Sequence, residues 1–153
     1  MILRYPGSKN SFRKELECYI PPDVTIVASG FFGGGSLEFH LAKKGMDVVG
    51  CDLNGALVNF WNMTRQDAGV VADTVNDLGE RMSKEKFHAM REELMSCPEV
   101  SDSVAAAASF FVLNRTSYNG IMRYYAPNAG RFTPSCVKRL REFEWPPSLA
   151  PLE

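Results

Sequence analysis

The sequence predicts an α/β fold that is Rossmann-like at its N-terminal end and carries a helical insertion, and three observations support this prediction. Two short apolar segments, 24–28 and 47–51, have the β-branched composition of buried strands. A glycine-rich segment, FFGGGS at 31–36, follows the first strand, and Asp52 follows the second. Amphipathic helices then succeed one another between about residues 56 and 113 without an intervening strand.

The N-terminal elements form a compact unit. Residues 12–19 are predicted to be a helix that ends before Pro21, because proline cannot continue a helix. Ser36 is the predicted N-cap of the next helix, and Gly45 stands just after it, where a positive φ is favoured. Because a right-handed crossover makes the two strands parallel, residues 1–55 are predicted to be the cofactor-binding βαβ part of the domain.

Apolar residues at helical spacing continue after this unit. A second helix is predicted to begin within residues 57–63, and the apolar positions that follow are Val71, Val75, Leu78 and Met82, then Phe87, Met90, Leu94 and Met95. Ser101 is the predicted cap of one more helix, and Asn119-Gly120 has the composition of a type I′ hairpin turn. Residues 56–135 are therefore predicted to hold a helical insertion and a hairpin. Residues 136–153 are predicted to be a tail or the start of a missing second half.

Composition argues against several classes of protein. The cysteines lie far apart, with no CxxC pair and no histidine at ligand spacing, so we expect no metal site and reduced thiols in a cytosol-like compartment. No apolar run is long enough for a membrane span or a signal peptide. We therefore expect a protein that is neither membrane-bound nor secreted.

Charge is distributed unevenly although the net charge is only −1. Residues 114–141 contain six of the 17 basic residues and none of the 18 acidic ones. Such a segment is typical of a surface that contacts phosphates, and it is equally typical of a solvated C-terminal face.

The glycine segment and Asp52 together predict a nucleoside site. A strand-to-helix glycine turn exposes backbone N–H groups, and an acidic residue about 20 positions further on can accept hydrogen bonds from ribose hydroxyls. The alternative is a tight turn that uses glycine without any ligand. This pattern does not distinguish NAD from S-adenosylmethionine, although the third glycine of a GxGxxG fingerprint is absent.

Several ordered motifs resemble those of one family. They are RYPGSK at 4–9, FFGGGS at 31–36, CDLN at 51–54, LNRTSYNGIMRY at 113–124 and GRFTP at 130–134. In order and spacing they are similar to the D12-class adenine-N6 DNA methyltransferases, the Dam family. The resemblance implies an S-adenosylmethionine-dependent methyltransferase fold. It also implies methyl transfer to adenine N6 of double-stranded DNA, in the cytoplasm or the nucleus, wherever the DNA is.

The resemblance also implies which residues contact the cofactor S-adenosyl-L-methionine. These are Tyr5 and Lys9 of the first motif, Phe32, Gly33 and Gly35 of the glycine loop, and Asp52, whose carboxylate would bind the ribose. An aromatic face and a lysine donor suit such a ligand. A packing tyrosine and a solvated lysine are the alternatives from the residues alone.

For DNA, the resemblance implies a target-recognition hairpin that contains Asn114, Arg115, Asn119 and Arg123. Arginine there would position phosphates or bind guanine, and asparagine can pair with adenine. For Asn119 we favour the alternative of a role in the turn itself.

The sequence departs from the family pattern at two places. Ser29 and Gly30 stand where the family has an acidic residue and proline before the glycine loop, which would weaken cofactor binding. The family's Asp/Asn-Pro-Pro-Tyr motif, which grips the flipped adenine, is absent: Pro146-Pro147 follows Trp145 and precedes Ser148. We therefore expect no catalytic residue in this chain.

Two hypotheses follow from these departures. In the first, the chain is part of a split or truncated methyltransferase, and a second polypeptide completes the fold. In the second, it is a non-catalytic relic with a structural or assembly role. A parallel sheet needs cover on both faces, so an incomplete sheet is expected to expose apolar surface and strand edges.

Overall fold

A computed structural model describes residues 2–96, 102–122, 132, 134–141 and 143 of the chain. Its elements in order are α1 (Arg13–Glu17), β1 (Ile26–Ser29), α2 (Glu38–Ala42), β2 (Asp47–Gly50), α3 (Gly55–Gln66), α4 (Ala68–Glu80), α5 (Lys84–Ser96), α6 (Val104–Thr116), a 3-10 turn (Tyr118–Gly120) and α7 (Pro134–Arg141). Helices and a small parallel sheet coexist, as the α/β prediction requires.

The predicted βαβ unit is confirmed. Strands β1 and β2 pair in parallel, from Ile26 opposite Asp47 to Ser29 opposite Gly50. Gly45 has the predicted positive φ, +88, although α2 ends at Ala42, before the predicted end at Lys44. The predicted N-cap Ser36 is wrong: Leu37 precedes α2 without a side-chain cap, and the Ser36 hydroxyl lies 2.8 Å from that of Ser8.

The two faces of this sheet differ. Ser29 hydrogen-bonds Glu38 of α2, so α2 lies on the face to which Ser29 points. Ile26 and Val49 point to the opposite face, because side chains alternate along a strand and paired residues share a face. They are 62% and 61% exposed. One sheet face is therefore not covered by the described residues.

The core lies in the helical part of the molecule. Helix α6 packs against α3, α4, α5 and α7, and its buried residues cover most of its circumference. Phe60 of α3 stacks on Phe111 of α6 with ring centroids 5.6 Å apart. Leu3, near the N-terminus, is fully buried in the same cluster. The successive helices predicted between residues 56 and 113 are thus confirmed.

Helix caps explain where two of these helices begin. Asp67 ends α3 and starts α4, where its Oδ1 accepts from the Val70 amide at 3.0 Å. Ser103 caps α6 by accepting from the Ala106 amide at 3.2 Å, whereas Ser101, the predicted cap, lies outside the described residues. The proposed boundaries 1–55, 56–135 and 136–153 stay predictions.

The turn at Tyr118–Gly120 differs from its prediction. A type I′ turn requires a positive φ at both central residues, and among the described residues Asp102 is the one non-glycine residue with a positive φ. Gly120 has φ +70, but Asn119 belongs to a 3-10 turn. Gly120 is needed because a Cβ there would lie 2.1 Å from the Arg4 carbonyl oxygen. An isolated antiparallel bridge joins Ser117 to Phe132.

In the described part of the chain, no helix is long and apolar enough to cross a membrane. Within the same residues, no three His, Cys, Asp or Glu side chains gather in a group that could hold a metal ion.

Candidate functional site

The glycine loop between β1 and α2 has a left-handed backbone at two positions. Gly33 has φ +52 and Gly35 has φ +65. A Cβ on Gly35 would lie 2.5 Å from Phe39 Cε2, and one on Gly33 would lie 3.1 Å from the Tyr5 ring. Both glycines therefore have a structural reason in backbone conformation and aromatic packing. They do not by themselves require a ligand.

Asp52 ties this loop to the end of β2. Its Oδ2 accepts from the Gly33 amide at 2.9 Å, and its Oδ1 accepts from the Asn54 amide at 3.0 Å. A carboxylate has about four lone-pair sites, so Asp52 keeps acceptor capacity for a further donor. Asn54 in turn caps α3 by accepting from the Leu57 amide.

Tyr5 packs over the loop from the N-terminal segment. Its ring lies 3.1 Å from the position that a Cβ of Gly33 would occupy, and its own Cβ lies 3.1 Å from that of Gly34. Burial raises the pKa of the Tyr5 hydroxyl, the negative charge of Asp52 raises it further, and a hydrogen bond with Asn54 acts in the opposite direction. Tyr5, Gly33 and Asp52 thus come together although they are distant in sequence. Their contact with a cofactor stays a prediction.

Lys9, unlike Tyr5, is exposed to solvent. Its ammonium donates to the Gly7 carbonyl at 2.9 Å. The Ser8 and Ser36 hydroxyls, 2.8 Å apart, hold this N-terminal segment against the glycine loop. An ammonium has three donors, so Lys9 can still bond an external acceptor.

Phe32 packs towards the interior of the molecule. Its ring meets those of Phe39 and Trp61 edge to face, with centroids 5.8 Å apart in both pairs, and it lies where a Cβ of Gly50 would be. Trp61 also donates from Nε1 to the Gly33 carbonyl at 3.1 Å. Nothing in the sequence distinguishes Trp61 from an ordinary core residue at an apolar position of α3.

A cleft of about 370 Å³ lies between β2, α3 and the end of α2. This volume falls within the range of small-molecule sites. Its lining includes Phe32, Met46, Val48, Asp52, Trp61, Asn62 and Arg65. Asp52 therefore borders both the glycine loop and the cleft, whereas Tyr5 and Lys9 do not line the cleft.

Glu38 is a second carboxylate at this site, and it is not among the residues that the sequence motifs predicted. It is 8% exposed, and its Oε1 accepts from the Ser29 hydroxyl at 2.7 Å. The available signal was an acidic residue inside the apolar segment LEFHLA, nine positions after the departure at Ser29.

Asn114 does not lie in a hairpin, so that prediction is wrong. It belongs to α6 and is fully buried. Its Oδ1 accepts from the Arg4 amide at 2.9 Å, and its Nδ2 donates to the Arg4 carbonyl at 2.8 Å. Its amide is therefore engaged with the N-terminal segment rather than exposed to a nucleic acid.

Arg115 also lies in α6, not in the predicted hairpin. Its guanidinium is 4.6 Å from the Phe143 ring centroid and donates to the Ile2 carbonyl at 3.3 Å. Burial lowers the pKa of Arg115, and the positive charge of Arg4 lowers it further. Arg115 is thus half-buried, with a second cation nearby. The side chain of Asn119 and the whole of Arg123 lie outside the described residues.

Comparison with known families identifies the class to which this fold and site belong. Residues 5–140 match the model of the D12 class N6 adenine-specific DNA methyltransferases. Since the match covers most of the chain, the chain belongs to this family, as its motifs predicted.

Individual relatives agree with this assignment. The chain is 24% identical over 136 residues to the Type II methyltransferase M.MjaIII of Methanocaldococcus jannaschii, in an alignment that covers 80% of this chain and 47% of that protein. It is 28% identical over 125 residues to the DNA adenine methylase of Salmonella typhi, with 80% and 43% covered. The Type II methyltransferase M.CviBI of Paramecium bursaria Chlorella virus NC1A is 28% identical over 126 residues. The chain spans about half the length of these relatives.

Proposed function

We propose that the chain is the S-adenosylmethionine-binding and DNA-contacting part of an adenine-N6 methyltransferase, built as an incomplete Rossmann-like domain with a helical insertion. The observation that carries this proposal is the bond between Asp52 and the glycine loop, 2.9 Å from carboxylate to Gly33 amide. It places a carboxylate with spare acceptor capacity at the end of β2, beside a cleft of suitable volume.

The residues present fit such a cofactor. Asp52 would accept hydrogen bonds from the ribose hydroxyls while it holds the loop, and Tyr5 would offer an aromatic surface over Gly33. Lys9 would donate to the carboxylate of the ligand. When bound, the cofactor supplies an activated methyl group. The role of this chain is to bind and orient that group, which is a large part of catalysis by proximity.

Family membership and the basic segment 114–141 support contact with duplex DNA. Of the four predicted DNA residues, Arg115, Asn119 and Arg123 remain in the proposal, and Asn114 supports them by fixing the end of α6 to the Arg4 backbone. The chain would act where its target DNA is, in a cytoplasm or a nucleus.

Methyl transfer also needs the Asp/Asn-Pro-Pro-Tyr grip on the flipped adenine, which this sequence does not contain. We propose that the region supplying it corresponds to the part of the relatives that this chain does not span, in the same or a second polypeptide. Transfer of labelled methyl to duplex DNA by the purified chain is then expected to stay at the no-protein background. Incorporation at N6 well above that background contradicts this expectation.

A non-catalytic relic with a structural or assembly role is the second candidate. Ser29 and Gly30, in place of the family's acidic residue and proline, are the observation in its favour.

Calorimetric titration with S-adenosylmethionine and S-adenosylhomocysteine distinguishes the two candidates. We expect both ligands to bind, and Asp52→Ala to weaken both, because each lost hydrogen bond is worth about 0.5–1.5 kcal/mol. Asp73→Ala removes an exposed carboxylate on α4 and serves as the matched control. A folded, unmodified chain that binds neither ligand would support the relic instead.

The salt dependence of DNA binding tests the second part of the proposal. Each phosphate that the protein neutralises contributes about −0.9 to the slope of log affinity against log salt concentration. Arg115→Ala with Arg123→Ala is therefore expected to flatten the slope, whereas the exposed pair Arg81→Ala with Lys84→Ala should leave it unchanged. An identical slope for both double variants would place the DNA surface elsewhere.

A further inference from the structure

A carboxylate lies at the carboxyl end of β1 although the strand itself ends without an acidic residue. Ser29 is the last residue of β1, and its hydroxyl donates to Glu38 Oε1 at 2.7 Å. Glu38 comes from the first turn of α2 and is 8% exposed. The pair therefore brings a nearly buried acid to the position where the family pattern has its acidic residue.

No positively charged side chain of the described residues neutralises the Glu38 carboxylate. Within the described residues, no Lys, Arg or His forms an ion pair with Glu38, and the neutral Ser29 hydroxyl is its one hydrogen-bond donor. Burying a charge without a counter-charge is costly. Oε2 accepts no bond from these residues and is not among the fully enclosed side-chain atoms. Such a site favours a positively charged hydrogen-bond donor.

Glu38 and Asp52 lie at the same edge of the sheet. Ser29 pairs with Gly50, two residues before Asp52, and the Phe32 amide donates to the Cys51 carbonyl at 3.0 Å. Carboxyl ends of neighbouring parallel strands form one crevice for ligands. If Asp52 takes the ribose, the second carboxylate lies on the β1 side, where the glycine loop begins.

We propose that Glu38 binds the ammonium group at the amino-acid end of the cofactor and that Ser29 holds Glu38 in place. The inference rests on the proposed function, that the chain binds S-adenosylmethionine. An ammonium group offers three donors and a positive charge, and a charge-assisted bond to a carboxylate is about twice as strong as a neutral one. Glu38 of α2 then takes the place of the acidic residue that the family has at the position of Ser29.

The test compares ligands that have or lack the amino-acid end. Glu38→Gln keeps the shape of the side chain and an oxygen that can accept from Ser29, but it removes the charge. We expect it to weaken S-adenosylmethionine and S-adenosylhomocysteine about tenfold or more, and adenosine less than about twofold. Calorimetry gives the two tighter constants, and chemical-shift titration gives the constant for adenosine. Circular dichroism checks that each variant is folded.

A swap provides a second test. Ser29→Glu combined with Glu38→Ser returns the acid to β1 and is expected to recover part of the affinity lost in Glu38→Gln. Equal affinity of Glu38→Gln and the unmodified chain for S-adenosylmethionine overturns the proposal. An equal loss for adenosine also overturns it, because Glu38 would then act on the fold alone. If the unmodified chain binds none of the three ligands, the proposed function fails first, and this inference fails with it.

Discussion

Residues at the candidate site shape the glycine loop and are also the proposed ligand contacts. Asp52 uses both carboxylate oxygens to hold backbone amides, so its first effect is on the shape of the loop. Gly33 and Gly35 allow Tyr5 and Phe39 to pack against that loop. A substitution at any of these positions therefore changes loop geometry before it changes ligand contacts. Gly45, which also has a positive φ, makes it possible to separate the backbone cost of a substitution from the cost of lost packing in the loop.

Gly35→Ala is expected to destabilise the protein more than Gly45→Ala. Both residues have positive φ, +65 and +88, so both substitutions carry the left-handed backbone cost of about 1–2 kcal/mol. A Cβ at Gly35 also meets Phe39 at 2.5 Å, whereas nothing lies within 4 Å at Gly45. Overpacking adds about 1–3 kcal/mol. Urea unfolding measures the free energy of unfolding of both variants. Equal losses would show that the contact with Phe39 adds nothing to the cost at Gly35.

Elements are joined by a few polar contacts that sequence spacing does not reveal. Glu17 of α1 accepts from His40 of α2 at 2.8 Å and from Lys44 just beyond α2. Asn114 of α6 pairs with both backbone groups of Arg4, in the manner of a strand partner. Both contacts fix the N-terminal segment that carries Tyr5, so the position of the candidate site depends on them.

The contact at Glu17 is expected to make stability depend on pH. The hydrogen bond from Lys44, and then that from His40, lowers the pKa of Glu17. A depressed carboxyl pKa stabilises the folded state above the unfolded pKa, and this contribution is lost as pH falls through the folded pKa. Glu17→Gln should therefore lower Tm at neutral pH and lose its effect in acid. Glu15→Gln, an exposed carboxylate on the same helix, is the control. A Tm difference that does not change with pH would contradict the ion pair.

Asn114→Ala is expected to cost about 2–6 kcal/mol. It leaves the amide and carbonyl of Arg4 without partners, and each unsatisfied buried group costs about 1–3 kcal/mol. Asn76→Ala changes an exposed asparagine on α4 and should have little effect. Thermal unfolding measures both variants. A small loss for Asn114→Ala would show that water replaces its bonds.

At the scale of the whole molecule, four of the eight large apolar residues that are exposed in the described part of the chain lie in or next to the small sheet. Ile26 and Val49 are 62% and 61% exposed on one face, and Phe31 and Leu53 are 94% and 102% exposed just beyond the strands. The helical part has a well-filled core of aromatic and aliphatic residues. Clustered apolar groups on a sheet favour association with further strands or helices.

The purified chain is therefore expected to self-associate through this sheet. Ile26→Ser combined with Val49→Ser should raise the concentration up to which the monomer persists, because it removes apolar surface without altering the helical core. Val70→Ser, which changes an apolar residue on α4 that is 47% exposed, is the matched control. Light scattering after size exclusion measures the mass. If the control has the same effect as the double variant, the association surface lies elsewhere.

The sequence by itself determined the parts of this protein that depend on local chemistry. Periodicity located the helices, β-branched segments located the parallel strands, and ordered motifs identified the family. Only the tertiary structure decided which side chains meet. Asn114 and Arg4 are 110 positions apart, and nothing in local spacing distinguishes an asparagine that binds a backbone from one in an exposed turn. Likewise, the sequence shows only that Ser29 stands where the family has an acidic residue, and the hydrogen bond between Ser29 and Glu38 is seen only in the folded chain. The partners of a buried polar group are set by packing between elements.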